Sequence, residues 1–184
     1  MQKLPLSFYQ REDPVQIAQD LLGKYLFTHI GSVITCGIIV ETEAYKGPED
    51  RGSHAHNNKV TERNKVMYEA GGLAYVYICY GIHDLFNVVT GVKGSSHAVL
   101  IRGLEPIEGI ACMQERRNMS LKPALTAGPG SLAKALGITK SLNKADLLGN
   151  EVWLEDKGLH YQPTEISAGP RIGMNFDGPY KTIP

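Results

Sequence analysis

Two apolar, β-branched runs at residues 25–30 and 33–43 meet at Gly31-Ser32, and this hairpin signal constrains the chain more than any other feature. Runs of this kind recur. Residues 73–80 (Leu-Ala-Tyr-Val-Tyr-Ile-Cys-Tyr) are dense in aromatic and β-branched side chains, and Gly81-Ile82-His83-Asp84 turns the chain. Residues 85–90 and 97–102 read as further strands, with weaker ones at 151–155 and 166–174. Helical signals lie between them. Asp13 is placed to cap a helix opened by Pro14 and closed near Gly23, with Val15, Ala18, Leu21 and Leu22 at helical spacing. Pro106 precedes a helix at 107–117, and Ser131, after the Gly128-Pro129-Gly130 breaker, caps another that ends near Gly137. The expected class is α+β: a single domain over residues 1–184, with a mostly antiparallel sheet and helices packed against it.

A chain of 184 residues buries enough apolar surface to fold without a disulfide or metal staple. With 42% hydrophobic and 21% charged residues it is neither disordered nor fibrous. No apolar run approaches the ~18 residues of a membrane span, and Met1-Gln2-Lys3-Leu4-Pro5 lacks the core of a signal peptide, so a cytoplasmic location away from membranes is expected. Cys36, Cys79 and Cys112 are an odd number without CxxC spacing. Cys36 and Cys79 sit in apolar runs, as core residues of a reducing compartment.

Nineteen basic and nineteen acidic residues cancel, but not locally. Residues 112–144 hold Arg116, Arg117, Lys122, Lys134, Lys140 and Lys144 against Glu115 alone, and residues 57–67 hold Lys59, Arg63 and Lys65 against Glu62. Such islands on a neutral protein fit a local phosphate-binding face, or a solvated surface.

The long polar stretch from Lys46 to about Glu69 reads as loop with a short helix, and loops of that length inside compact domains are usually functional. Just before it, Glu41, Glu43 and Tyr45 share one face of a regular strand, and one ionised carboxylate there would serve as a general base toward water. A strand leaving the core and turning polar carries the same residues. Arg102 ends its own strand and, near Glu43, would keep that carboxylate ionised and hold a water. Glu49, Asp50, His54 and His56 offer an alternative, a metal-dependent hydrolase, although their spacing matches no tight ligand pattern. Tyr75 and Tyr77 share a face. Tyr80, at a turn tip, has the position of a wedge between stacked bases. The Gly128-Pro129-Gly130-Ser131 turn lacks the GxxxxGK[ST] of an NTPase.

Taken in order, these pieces resemble the 3-methyladenine (alkyladenine) DNA glycosylase family. The likeness rests on Val40-Glu-Thr-Glu-Ala-Tyr45, Gly47-Pro48-Glu49-Asp50, His54, Thr61 to Asn64, Tyr75-Val-Tyr77, Tyr80-Gly81 and Asn87-Val88-Val89. It continues through Ala98 to Pro106, Gly128-Pro-Gly-Ser-Leu, Ala135-Leu-Gly137 and Gly169-Pro-Arg-Ile-Gly173. The resemblance implies a curved antiparallel sheet and a monomeric, monofunctional base-excision-repair enzyme that flips damaged purines from duplex DNA and hydrolyses their N-glycosidic bond. Glu43 would be the general base and Arg102 its partner. Tyr45, His54 and Tyr77 would contact the flipped base, Asn87 would disfavour guanine, and Tyr80 would intercalate. Neither a cofactor nor a metal is expected, and a lesion-binding protein without cleavage is the remaining alternative. The sequence departs from the family pattern at Glu62, where many members carry proline, and at Gly178-Pro179-Tyr180-Lys181.

Overall fold

The computed structural model describes residues 2–172. Strands β1 (Gln2–Lys3), β2 (Tyr25–Ile30), β3 (Val33–Lys46), β4 (Ala74–Cys79), β5 (His83–Thr90), β6 (His97–Glu108) and β7 (Val152–Asp156) form one curled sheet in the order β1-β7-β2-β3-β6-β5-β4. Every pairing is antiparallel. The helices are α1 (Leu6–Tyr9), α2 (Pro14–Leu21), α3 (Ile110–Arg117) and α4 (Pro129–Leu136). The molecule is therefore α+β, as its strand and helix signals imply.

The hairpin around Gly31-Ser32 pairs Ile30 with Val33, and Asp13 caps α2 by accepting from the Val15 N–H at 2.9 Å. Four readings need correction. β6 runs on through Pro106 to Glu108, so the helix expected from Ile107 begins at Ile110. Gly37 faces Pro106 and Cys36 faces Glu108, leaving Ile107 as an extra residue in a bulge, where proline's missing donor is tolerated. α4 is capped by Gly128, not Ser131, because a φ of 93° suits glycine and brings the chain in one turn earlier. Residues 166–172 form no strand; they run as irregular chain, with Ile166 to Gly169 beside α2 and β3, and 173–174 lie outside the described residues. Cys79 is only half-buried near the hairpin tip, whereas Cys36 is fully buried. β1 and α1 are too short to leave a periodic signal.

The two faces of the sheet are used differently. On one, Ile39, Val76, Phe86, Val88, Val99 and Ile101 pack with Ile17 and Leu21 of α2 and Leu132 and Leu136 of α4 into the main core. On the other, Tyr75, Val89 and Ala98 meet Ala55, Val66 and Met67 from the segment between β3 and β4. Covering this face is what orders the polar stretch. Buried Asn64 stitches it, accepting from the Thr61 N–H (2.7 Å) and donating to the carbonyls of His54 and Lys59 (2.7 Å each). The second face is thus roofed by a loop that carries two short 3₁₀ helices, His56–Asn58 and Lys65–Tyr68, and the roof leaves a slot.

Candidate active site

Register decides which side chains reach that slot. Asn87 pairs with Tyr75 and with Leu100, and Leu100 pairs with Glu43, so one row across β4, β5, β6 and β3 sets Tyr75, Asn87 and Glu43 on the same face. The next row brings Tyr45 over Ala98. Tyr45, Tyr75, Asn87 and Ala98, with Tyr77 and with Gly52, His54 and Met67 from the roof, line a narrow cavity of about 80 Å³.

The rings within it are locked against one another. His54 stands edge-on to Tyr77 with centroids 4.6 Å apart, and Tyr75 and Tyr77 lie 5.2 Å apart. The Tyr75 hydroxyl and His54 Nδ1 are hydrogen-bonded at 2.8 Å. Burial pushes the His54 pKa below its ordinary value, helped by the Arg63 charge, so its imidazole is neutral at neutral pH. Burial likewise pushes Tyr77 up to about 12. Asn87 is buried and donates to the Tyr75 carbonyl at 3.1 Å.

The Glu43 carboxylate is not a lining group and adjoins the cavity through Tyr45. Glu43 is 8% exposed. It accepts from the Tyr45 hydroxyl through Oε1 and from Arg102 Nη1 at 3.1 Å through Oε2. Arg102 reaches it because β6 has an extra residue at this point: Glu41 faces Gly103 and Thr42 faces Ile101, which leaves Arg102 unpaired in the bulge. The extra residue belongs to β6, while Glu41 to Tyr45 run on in β3 without one, and Glu41 also meets Arg102, accepting from its Nε at 3.0 Å. Gly103 lets the strands close here, since a Cβ at this position would stand a tight 3.2 Å from that of Glu41.

The model of the methylpurine-DNA glycosylase family matches residues 7–182. The chain belongs to this family. It is 45% identical over 183 residues to a protein of Chlamydia abortus, covering 98% of this chain and 95% of that one. It is 48% identical to a protein of Chlorobium luteolum over 86% of this chain and 81% of the other, and 42% identical to one of Bacillus licheniformis over 98% and 90%. All three relatives carry the name "Putative 3-methyladenine DNA glycosylase". A methylpurine-DNA glycosylase is a DNA-repair hydrolase acting on N-glycosyl bonds.

In this glycosylase-family chain, Tyr45, His54, Tyr77 and Asn87 line one slot, Glu43 and Arg102 adjoin it through the hydrogen bond of Glu43 to Tyr45, and Tyr80 stands apart. Tyr80 stands at the β4–β5 tip, 90% exposed, beside exposed Ile82. Tyr80 and Gly81 have φ values of 50° and 73°, the two positive values that a type I′ turn requires. The metal-site reading fails on donor geometry. Asp50 is bound to Arg171, His54 to Tyr75 and His56 Nδ1 to the Pro48 carbonyl, and no three His, Cys, Asp or Glu side chains converge among the described residues. The basic island of 112–144 divides. Arg116 and Arg117 bond to the carbonyls of Ala135 and Ala124, while Lys122, Lys134, Lys140 and Lys144 are exposed.

Arg171 was not singled out as a site residue by its sequence context, yet its guanidinium lies 4.5 Å from the Tyr45 ring centroid. Its only sequence signal was the Gly169-Pro-Arg-Ile-Gly173 match. The divergent Gly178 to Lys181 stretch lies outside the described residues. No helix among the described residues is long and apolar enough to cross a membrane.

Proposed function

We propose that this chain is a monofunctional glycosylase that excises damaged purines, of the 3-methyladenine, hypoxanthine and ethenoadenine type, after flipping them out of duplex DNA. The observation that carries the reading is the position of Glu43. Its carboxylate is buried next to a ring-lined slot, joined to it through Tyr45, with one oxygen bound by Tyr45 and the other by Arg102. Glu43 takes a proton from water as the water's oxygen bonds to the sugar C1′. The C1′–N bond breaks, and its electron pair leaves with the base. Arg102 holds the carboxylate in place.

A purine inside a helix is out of reach of such a site, so flipping it is required, at a cost of a few kcal/mol. Tyr80, exposed on a stiff turn, fills the gap left in the stack. Tyr45, Tyr77 and neutral His54 grip the extruded base, and electron-rich rings favour electron-poor alkylated purines. Asn87, held by the Tyr75 carbonyl, crowds the exocyclic amine of guanine. Among the described residues no lysine lines the slot, which accords with hydrolysis without a Schiff-base step. We read the protein as a cytoplasmic monomer.

The test is a duplex bearing one hypoxanthine, incubated with the protein and then treated with hot alkali. Strand scission at the lesion with wild type and its loss in Glu43→Gln are expected. Retained binding without scission in the wild type would make this a lesion-binding protein instead.

A further inference from the structure

Asp50 and Arg171 form an ion pair whose side chains are 0% and 7% exposed. A buried pair is weak evidence of stability in itself, because desolvating both charges offsets much of their attraction. Its placement gives it another role. Arg171 Nη1 donates to Asp50 Oδ1 at 2.7 Å, and Nη2 donates to Asp50 Oδ2 and to the Ala44 carbonyl at 2.6 Å. Asp50 also accepts from the backbone N–H of Lys46 at 3.1 Å and of Gly52 at 2.8 Å. The pair therefore holds the backbone immediately before and immediately after Tyr45, while the guanidinium covers the Tyr45 ring at 4.5 Å. Tyr45 in turn bonds Glu43, so three segments distant in sequence (β3, the roof loop and the chain near 171) fix one side chain.

We propose that Arg171, clamped by Asp50, is a positioning residue for base excision. It makes the Tyr45 ring a rigid stacking surface and, through the Tyr45 hydroxyl, sets the direction of the Glu43 carboxylate. This rests on the glycosylase reading above. A planar fork is needed to bond Asp50 and Ala44 while lying over a ring, and a lysine ammonium supplies charge without that geometry.

The experiment uses the full chain and a duplex carrying a single ethenoadenine, itself fluorescent. Single-turnover excision is measured at saturating enzyme for wild type, Arg171→Met, Arg171→Lys and Asp50→Asn. The emission change on binding is measured for Glu43→Gln alone and combined with each of the other substitutions. Arg171→Met is expected to lower the saturating rate about 100-fold, the scale of a 1 Å misplacement of a catalytic group. The enzyme concentration giving half-maximal rate should move less than about threefold, since the proposed Tyr80 wedge is untouched. Asp50→Asn should behave like Arg171→Met, and Arg171→Lys should recover at most about a tenth of the wild-type rate. The emission change should shrink in all three combinations.

A saturating rate within twofold of wild type in Arg171→Met overturns the inference. So does an unaltered emission change, or full recovery by lysine, which would reduce the residue to a charge that supports folding. If Arg171→Met does not fold, Arg171→Lys and Asp50→Asn decide by the same criteria. If wild type itself excises nothing, the glycosylase reading falls, and that arm shows it independently of Arg171.

Discussion

The Tyr45 hydroxyl donates a hydrogen bond to Oε1 of Glu43, two residues earlier on the same face of β3. Burial first, and the Glu43 charge second, push the Tyr45 pKa above the ordinary tyrosine range, so the hydroxyl remains a donor at any working pH. This relationship separates binding from chemistry. Tyr45→Phe keeps the ring and loses the bond. A hydrogen bond to a charged group contributes about 1.5–3 kcal/mol, so the single-turnover rate on a hypoxanthine duplex is expected to fall about tenfold or more. Affinity for the same duplex, read by fluorescence anisotropy, should change little. An unchanged rate would detach Tyr45 from Glu43's role.

Glu43→Gln removes the base and leaves the pocket's shape. Excision should fall by 10²-fold or more, about the contribution of a general base, with lesion binding retained. Turnover above roughly one percent of wild type would contradict the assignment.

Arg102 is the counter-charge of a carboxylate that is nearly out of water, with side-chain exposures of 13% and 6%. Arg102→Leu should destabilise the fold by about 3 kcal/mol, the cost of leaving one member of a buried pair alone. The same change in a Glu43→Gln background should cost less, because the stranded charge is gone. Denaturant melts of the four proteins measure the difference, and equal costs would show that the pair is not coupled.

Tyr80 contributes little to the core at 90% exposure, so Tyr80→Ala should leave the melting temperature unchanged. Its loss should weaken binding to lesion duplex about tenfold, within the ~1–3 kcal/mol of a base-stacking ring, and binding to single strands less. Equal losses on both would count against the wedge. Lys134, exposed in the groove it shares with Ile82 and His83, provides a companion test. Lys134→Gln should reduce the salt slope of DNA binding by about 1, whereas an unchanged slope removes it from the interface.

His54 and His97 are both held below the ordinary histidine pKa, chiefly by burial. For each, the unfolded chain binds a proton that the folded one resists, so stability is full above about pH 6.5 and declines as pH falls toward the lowered folded values. Wild type should therefore melt at lower temperature at pH 5.5 than at pH 7.5, and His54→Gln should show a smaller difference. A difference of equal size in the variant would place the proton uptake elsewhere.

Strand positions and the identities of the reactive side chains were legible in the chain because alternation, glycine punctuation and β-branching are local properties. Glu43, Tyr45, Tyr77 and the turn at Tyr80 could be singled out on that basis. The bulge at Glu41 and Arg102 could not, because an unpaired residue exists only relative to the partner strand. Pro106 misled for the same reason: in isolation proline suits the start of a helix, but beside the bulge at Ile107 its missing N–H is tolerated in the strand. Nor does one-dimensional spacing bring Arg171 over Tyr45 or spend Asp50 on it, across 121 positions. Sequence by itself determined which groups were present and which strand faces they occupied. Tertiary structure decided which charges were buried together, since desolvation and pairing depend on what packs against a group, and the packing neighbours here come from distant parts of the chain.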